Sequence, residues 1–187
     1  MILAVIIVMA GVFFFIYEIK DGSDSTCVIP NGCKVEGIEE INNFDDCVAA
    51  GYPMAESYPR QCRTKNGLLF TEDVGNELEK TDLIRIDSPR PNQTVSSPLT
   101  VRGEARGYWF FEASFPVELL NEDNNVIAQG IATAKNDWMT EDFVPFEAVL
   151  EFKKPSTTQG TLVLKKDNPS GLPENDDRLY LPLTFNQ

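Results

Sequence analysis

Two stretches near the C-terminus alternate with a period of two, and that period constrains the fold more than anything else in the chain. Phe146, Ala148, Leu150 and Phe152 point one way, with Glu147, Val149 and Glu151 opposite. Leu179, Leu181, Leu183 and Phe185 repeat the pattern against Tyr180, Pro182 and Thr184. Successive strand residues face opposite sides of a sheet, so each stretch predicts a half-buried strand. Pro182 lacks a ladder donor, so its strand is expected at an edge or paired on one side there. Shorter runs at Ile84–Ile86, Leu99–Ala105, Val117–Leu120, Val126–Ile131 and Gly160–Lys165 are separated by polar or proline-bearing turns. No helix-period segment of useful length interrupts them. About seven strands at this spacing predict an all-β immunoglobulin-like sandwich over residues 83–187.

One apolar stretch does not alternate. Tyr108, Trp109, Phe110 and Phe111 stand in a row, with Phe115 close behind. A buried ring covers ~150–250 Å², so these rings and Trp138 are expected to supply much of the core. Four consecutive rings cannot all face inward, so the segment is expected to be a corner with at least one ring near the surface. Tyr108, Trp109, Phe110 and Trp138 are therefore the candidate binding residues, a stacking platform for a glycan or peptide.

The cysteines define a second module. Cys27, Cys33, Cys47 and Cys62 are the only four, and all precede the strand-rich half. An even, clustered set of this kind predicts a disulfide framework in an oxidising compartment. Of three possible pairings, the turn at Pro30-Asn31-Gly32 favours Cys27–Cys33, which leaves Cys47–Cys62. Asn43 can cap a short helix over Phe44–Ala50 that stops at Gly51. Lys65-Asn66-Gly67 marks a hairpin leading to Leu68-Leu69-Phe70. Residues 27–75 thus predict a small disulfide-stapled α+β module. The charged, non-periodic residues 76–82 are expected to be a linker, as are residues 20–26.

Ile2 to Tyr17 carries no charge. Sixteen helical residues span ~24 Å, and continuing to Ile19 brings the length nearer the ~30 Å of a bilayer core. Residues 1–19 are expected to be a transmembrane signal anchor, with the cysteines placing the rest of the chain outside the cell membrane. The formal net charge is −13, and without a basic stripe no nucleic-acid partner is expected. The chain has no histidine, which excludes Ser-His-Asp and Cys-His catalysis and removes the commonest zinc ligand.

Several long strings resemble the Gmad2 family: Ile84-x-Ile-x-Ser-Pro-x-Pro-Asn-Gln-x-Val-x-Ser-Pro-Leu99, then Gly103 to Pro116, Asp137 to Phe146, and Asp167 to Asp177. This is the immunoglobulin-like domain of bacterial spore germination proteins, and the likeness covers residues 83–186. The resemblance implies a bacterial, extracytoplasmic sandwich domain and supplies no catalytic residues.

Two weaker constellations remain. Asp167, Glu174, Asp176 and Asp177, with Asn168 and the more distant Asp137, Glu141 and Asp142, offer hard oxygen ligands that could hold calcium, although their spacing fits no EF-hand. Glu112, next to the rings, would be costly to bury unpaired, so an ion pair with Arg102 or Arg106 is expected. No cofactor is expected. The functional expectation is a membrane-anchored envelope protein that is not an enzyme and binds an envelope protein or a cell-wall polymer. A structural spacer is the alternative, and a cell-wall hydrolase ranks third.

Overall fold

The computed structural model describes residues 41–186; the expected membrane span, the 20–26 linker and the Cys27–Cys33 bridge lie outside them. Among the described residues, no helix is long and apolar enough to cross a membrane.

The chain enters this region through a short helix, α1 (Phe44–Ala49), and Asn43 caps it by accepting a hydrogen bond from the Asp46 amide at 2.8 Å. The helix stops where Gly51 takes φ +76°, a backbone conformation that costs glycine little. Three short antiparallel strands follow: β1 (Met54–Ala55), β2 (Gln61–Arg63) and β3 (Leu69–Thr71). Cys47 of α1 and Cys62 of β2 are disulfide-bonded and fully buried. Phe44 is the only other buried member of this small core, with Ile41, Tyr52 and Phe70 packed partly against it. One or two buried side chains at ~1.5–3 kcal/mol each are small against an ordering cost of ~1.5 kcal/mol per residue. The staple closes a separation of 15 residues and contributes ~3 kcal/mol.

The second part is a single hydrogen-bonded sheet built from β4 (Ile84–Ser88), β5 (Thr94–Val95), β6 (Leu99–Arg106), β7 (Ser114–Asn121), β8 (Val126–Ala134), β9 (Phe143–Leu150), β10 (Gln159–Lys165) and β11 (Arg178–Phe185). Its order is β4-β6-β9-β8-β7-β10-β11-β5. Sequence alternation leads to about seven strands in two separate layers; the structure has eight, the extra one being the two-residue β5, and the layers are joined. The joint is narrow. β6 and β9 pair from Leu99↔Leu150 to Arg106↔Phe143, whereas β8 and β9 share only Thr133↔Glu147 and Ala134↔Phe146. Beyond those two pairs the sheet turns over, so inward side chains from both halves meet in one core. The Phe115 ring of β7 lies 4.9 Å from the Phe146 ring of β9, edge to face. Alternation holds along both stretches that define the period: Leu179, Leu181, Leu183 and Phe185 are buried, as are Phe146, Ala148 and Leu150.

Residues 76–82 are not an extended connector. They carry a helical turn, α2 (Glu77–Lys80), whose Glu77 is only 6% exposed. Asn76 bonds the edge of β11 three times: its amide and carboxamide nitrogen donate to the carbonyls of Tyr180 and Arg178, and its Oδ1 accepts from the Tyr180 amide at 2.7 Å. Gly75 allows this approach, since a Cβ there would stand 2.0 Å from the Tyr180 carbonyl oxygen. Pro182 sits on this same outer strand, and its carbonyl accepts from the Asn92 amide before β5 takes over pairing at Thr184.

Polar groups close the seam between the stapled module and the sheet. Glu77 accepts from Arg90 and from the Tyr58 hydroxyl, and Lys80 pairs with Asp177 at 2.6 Å. Glu72, 7% exposed, receives Arg60 through two nitrogens at 2.8 and 2.5 Å and Asn92 at 3.1 Å. Residues 41–186 lie within one compact unit.

The Arg60 hydrogen bonds hold the Glu72 carboxyl below the usual glutamate range despite the opposing effect of burial. A lowered folded value contributes stability above the unfolded value of about 4.3, and that contribution is lost as pH falls through the folded value. Glu72→Gln is therefore expected to cost about 1–3 kcal/mol at neutral pH and to flatten the acid limb in urea titrations run at a series of pH values. Cys47→Ala/Cys62→Ala should lower urea-unfolding stability by ~3 kcal/mol.

Candidate functional site

Apart from the two-residue β5, every strand of the sheet has one end at each of two loop clusters. β6 ends at Arg106, β7 begins at Ser114, β9 begins at Phe143 and β10 ends at Lys165, so the segments 107–113, 135–142 and 166–177 gather at one end. These hold three of the four stretches that carry the family resemblance. Backbone bonds tie them together: the Gly107 amide donates to the Asp142 carbonyl, and the Asp167 amide to the Trp109 carbonyl at 3.0 Å. Gly107 is a close-approach residue, because a Cβ would lie 1.9 Å from the Thr140 carbonyl oxygen and 2.3 Å from that of Trp138.

The expected corner lies in this cluster. A single 3-10 turn, Gly107–Trp109, leaves β6, and Phe111–Ser114 closes a two-residue hairpin with reciprocal backbone bonds. The four aromatics alternate out, in, in, out. Trp109 and Phe110 are buried at 0% and 4% exposure, while Tyr108 and Phe111 remain 51% and 41% exposed. Trp109 and Phe110 therefore belong to the core and not to an exposed platform. About 200 Å² of indole at ~25 cal/mol per Å² contributes ~5 kcal/mol. That exceeds the ~1–3 kcal/mol cost of its buried Nε1–H, which has no partner among the described residues. Trp138, expected inside, is half-buried and packs against the rim of the core. The exposed apolar set is thus Tyr108, Phe111, Met139 and Leu172. Met139 and Leu172 escape sequence analysis because neither sits in an alternating run.

The acidic residues are scattered around these side chains. Asp176 accepts from the Asn168 carboxamide at 2.8 Å, and Asp177 is tied to Lys80 and caps the Arg178 amide. Glu174 is exposed and Asp167 half-buried. Among the described residues, no group of three or more potential ligands is arranged to hold a metal ion. Glu112 takes neither arginine expected for it. Arg102 bonds Glu147 at 2.7 Å, and Arg106 lies over Phe143 while donating to the Asp82 and Glu141 carbonyls. Glu112 instead sits exposed in the hairpin turn, where it never needed a partner.

Residues 83–172 match the model of Gmad2, described as the immunoglobulin-like domain of bacterial spore germination. Over this stretch the chain is similar to the Gmad2 family. No curated protein and no solved structure matches the chain. The Gmad2 match ends in the loop before β11, yet β11 completes the sheet along the length of β10. The Gmad2 domain therefore presents the loop end described above on a framework that includes β11.

Its hairpin turn is strained. Glu112 and Ala113 have φ of +48° and +64°, which suits the type I′ geometry of two-residue hairpins but neither side chain. Replacing the pair by Asn-Gly should raise stability by about 1 kcal/mol in thermal unfolding, with Phe111 left in place. An unchanged or lowered Tm would contradict the strain.

Proposed function

We propose that this chain is a membrane-anchored, extracytoplasmic protein of the bacterial envelope whose Gmad2 domain binds another envelope protein or a cell-wall polymer without catalysis. The observation that carries this reading is the loop end of the sheet. Four large apolar side chains stay exposed there on loops pinned by backbone hydrogen bonds, and one of the turns is held in a strained conformation. Strain at an exposed turn that a cheaper sequence would relieve is characteristic of contact surfaces. Aromatic side chains held rigid supply contact area at low entropic cost.

The remaining supports are chemical. The chain has no histidine, and two of the carboxylates at this end, Asp176 and Asp177, are engaged with Asn168 and Lys80. The buried disulfide fits an oxidising compartment, and the apolar residues 2–17 fit an anchor. The spacer reading gains no support from the seam, because a spacer has no need of a module bonded along the edge of the sheet.

The experiment uses the full chain and the variant Tyr108→Ala/Phe111→Ala, which removes exposed side chains only. Retention on purified peptidoglycan sacculi and cross-linking to envelope proteins in intact cells are both measured. A loss of about tenfold in either readout, equivalent to ~1.4 kcal/mol, is expected with unchanged unfolding. Equal retention and equal cross-linking would refute the assignment of this end.

A further inference from the structure

The opposite end of the sheet holds the clefts. Two adjoin one another, with volumes of about 290 and 710 Å³, and share Ser97, Phe152, Lys154 and Pro155. The smaller is half enclosed and the larger is an open depression on the surface. The floor is aromatic: Phe152 and Phe185 lie 5.9 Å apart with a 59° tilt, and Phe152 is half-buried. The wall is fixed by the Phe152 amide, which donates to the Ser97 hydroxyl oxygen at 3.0 Å. That hydroxyl accepts in this bond and keeps its own proton to give. Ser96 and Asn186 line the smaller cleft, and Asn121 and Ser156 the larger.

Charge separates this place from the rest of the molecule. In a chain of net charge −13, Lys153 and Lys154 both line the larger cleft beside a single carboxylate, Glu151. The lysines of the neighbouring strands are committed, Lys135 to Glu147 and Lys165 to Glu118. Neither Lys153 nor Lys154 has an ion-pair partner among the described residues. An aromatic floor accepts the C–H face of a sugar ring, hydroxyl and carboxamide walls match its hydroxyls, and two ammonium groups match an anion attached to it.

We propose that these clefts form a second site, distinct from the exposed aromatic end, that binds an anionic sugar. Phe152 stacks on the ring, Ser97 donates to a ring hydroxyl, and Lys153 and Lys154 hold the carboxylate or phosphate. The inference rests on the cell-wall-polymer form of the proposed function and goes further by naming the chemistry recognised. Two sources supply it, a muramic acid residue with its lactyl carboxylate and a sugar phosphate of a phosphodiester polymer.

The test titrates the full chain with three probes by calorimetry: the N-acetylglucosamine–N-acetylmuramic acid disaccharide, glucose 6-phosphate and neutral chitobiose. Saturable binding of at least one anionic probe is expected, and the identity of that probe distinguishes the sources. Chitobiose should bind about tenfold more weakly or worse, and Lys153→Ala/Lys154→Ala should weaken the anionic probe by about tenfold. Both lysines are exposed, so that variant keeps its fold. Tyr108→Ala/Phe111→Ala should leave this binding unchanged. No saturable binding of either anionic probe, equal binding of chitobiose, or indifference to the lysine substitutions overturns the proposal. Loss of sugar binding in the Tyr108/Phe111 variant alone would move the site to the other end. Failure here with the sacculus or cross-linking result intact would leave the proposed function standing.

Discussion

The carboxamide of Asn76 takes the place of a missing strand along β11. A sheet that folds over through one narrow joint leaves β4, and β11 outside the two residues it pairs with β5, with unpaired backbone groups, and an open edge invites pairing with other chains. Here Asn76 occupies the β11 edge at Arg178 and Tyr180, Asn92 continues at Pro182, and β5 ends the series at Thr184 and Phe185. On β4, the Arg90 guanidinium caps the Ile86 carbonyl. The same residues that close these edges also hold the stapled module. Glu72 meets Asn92, and Glu77 meets Arg90. Each buried carboxylate would be destabilising alone and is tolerable only because several donors converge on it. Edge protection and module docking are therefore one arrangement.

Apolar side chains and clefts also gather at the two loop ends. At one end the aromatic corner divides its rings by sidedness: Trp109 and Phe110 fill the core where β6 turns into β7, and Tyr108 and Phe111 are left outside. The rings that stabilise the fold and the rings offered to solvent thus lie within four residues, so the exposed pair is anchored by its neighbours. At the other end β9 runs out into Phe152, Lys153 and Lys154, where apolar floor and positive charge coincide. The Gmad2 framework separates the two ends by the full length of its strands.

Much of this was legible in the residues. The period-two runs placed β9 and β11, and Asn43 and Gly51 bounded α1 to within a residue. The turn at Pro30-Asn31-Gly32, by favouring Cys27–Cys33, left Cys47 and Cys62 as a pair, and these two are bonded. The Gmad2 strings marked the loops that converge at the aromatic end. Three things were not legible, each for a physical reason. Residues 76–82 look like a linker because Glu77 and Lys80 are charged, and only their partners, Arg90 and Asp177, reveal a docked turn. Glu112 looked in need of an arginine because it follows four rings, but with positive φ at 112 and 113 it sits exposed in the turn. The joined layers were hidden because two pairs between β8 and β9 leave no trace in composition.

The central claim is that the stapled module and the Gmad2 sheet unfold as one body because they share the edge built on Asn76, Glu72 and Glu77. Native-state hydrogen exchange resolved by residue tests this most directly. The claim requires the amides of Gln61–Arg63 and Leu69–Thr71 to exchange through the same global opening as those of Leu162 and Leu181, and to respond in parallel to denaturant. Exchange of the module amides through a separate, lower-energy opening that leaves the Leu162 and Leu181 amides protected would contradict it.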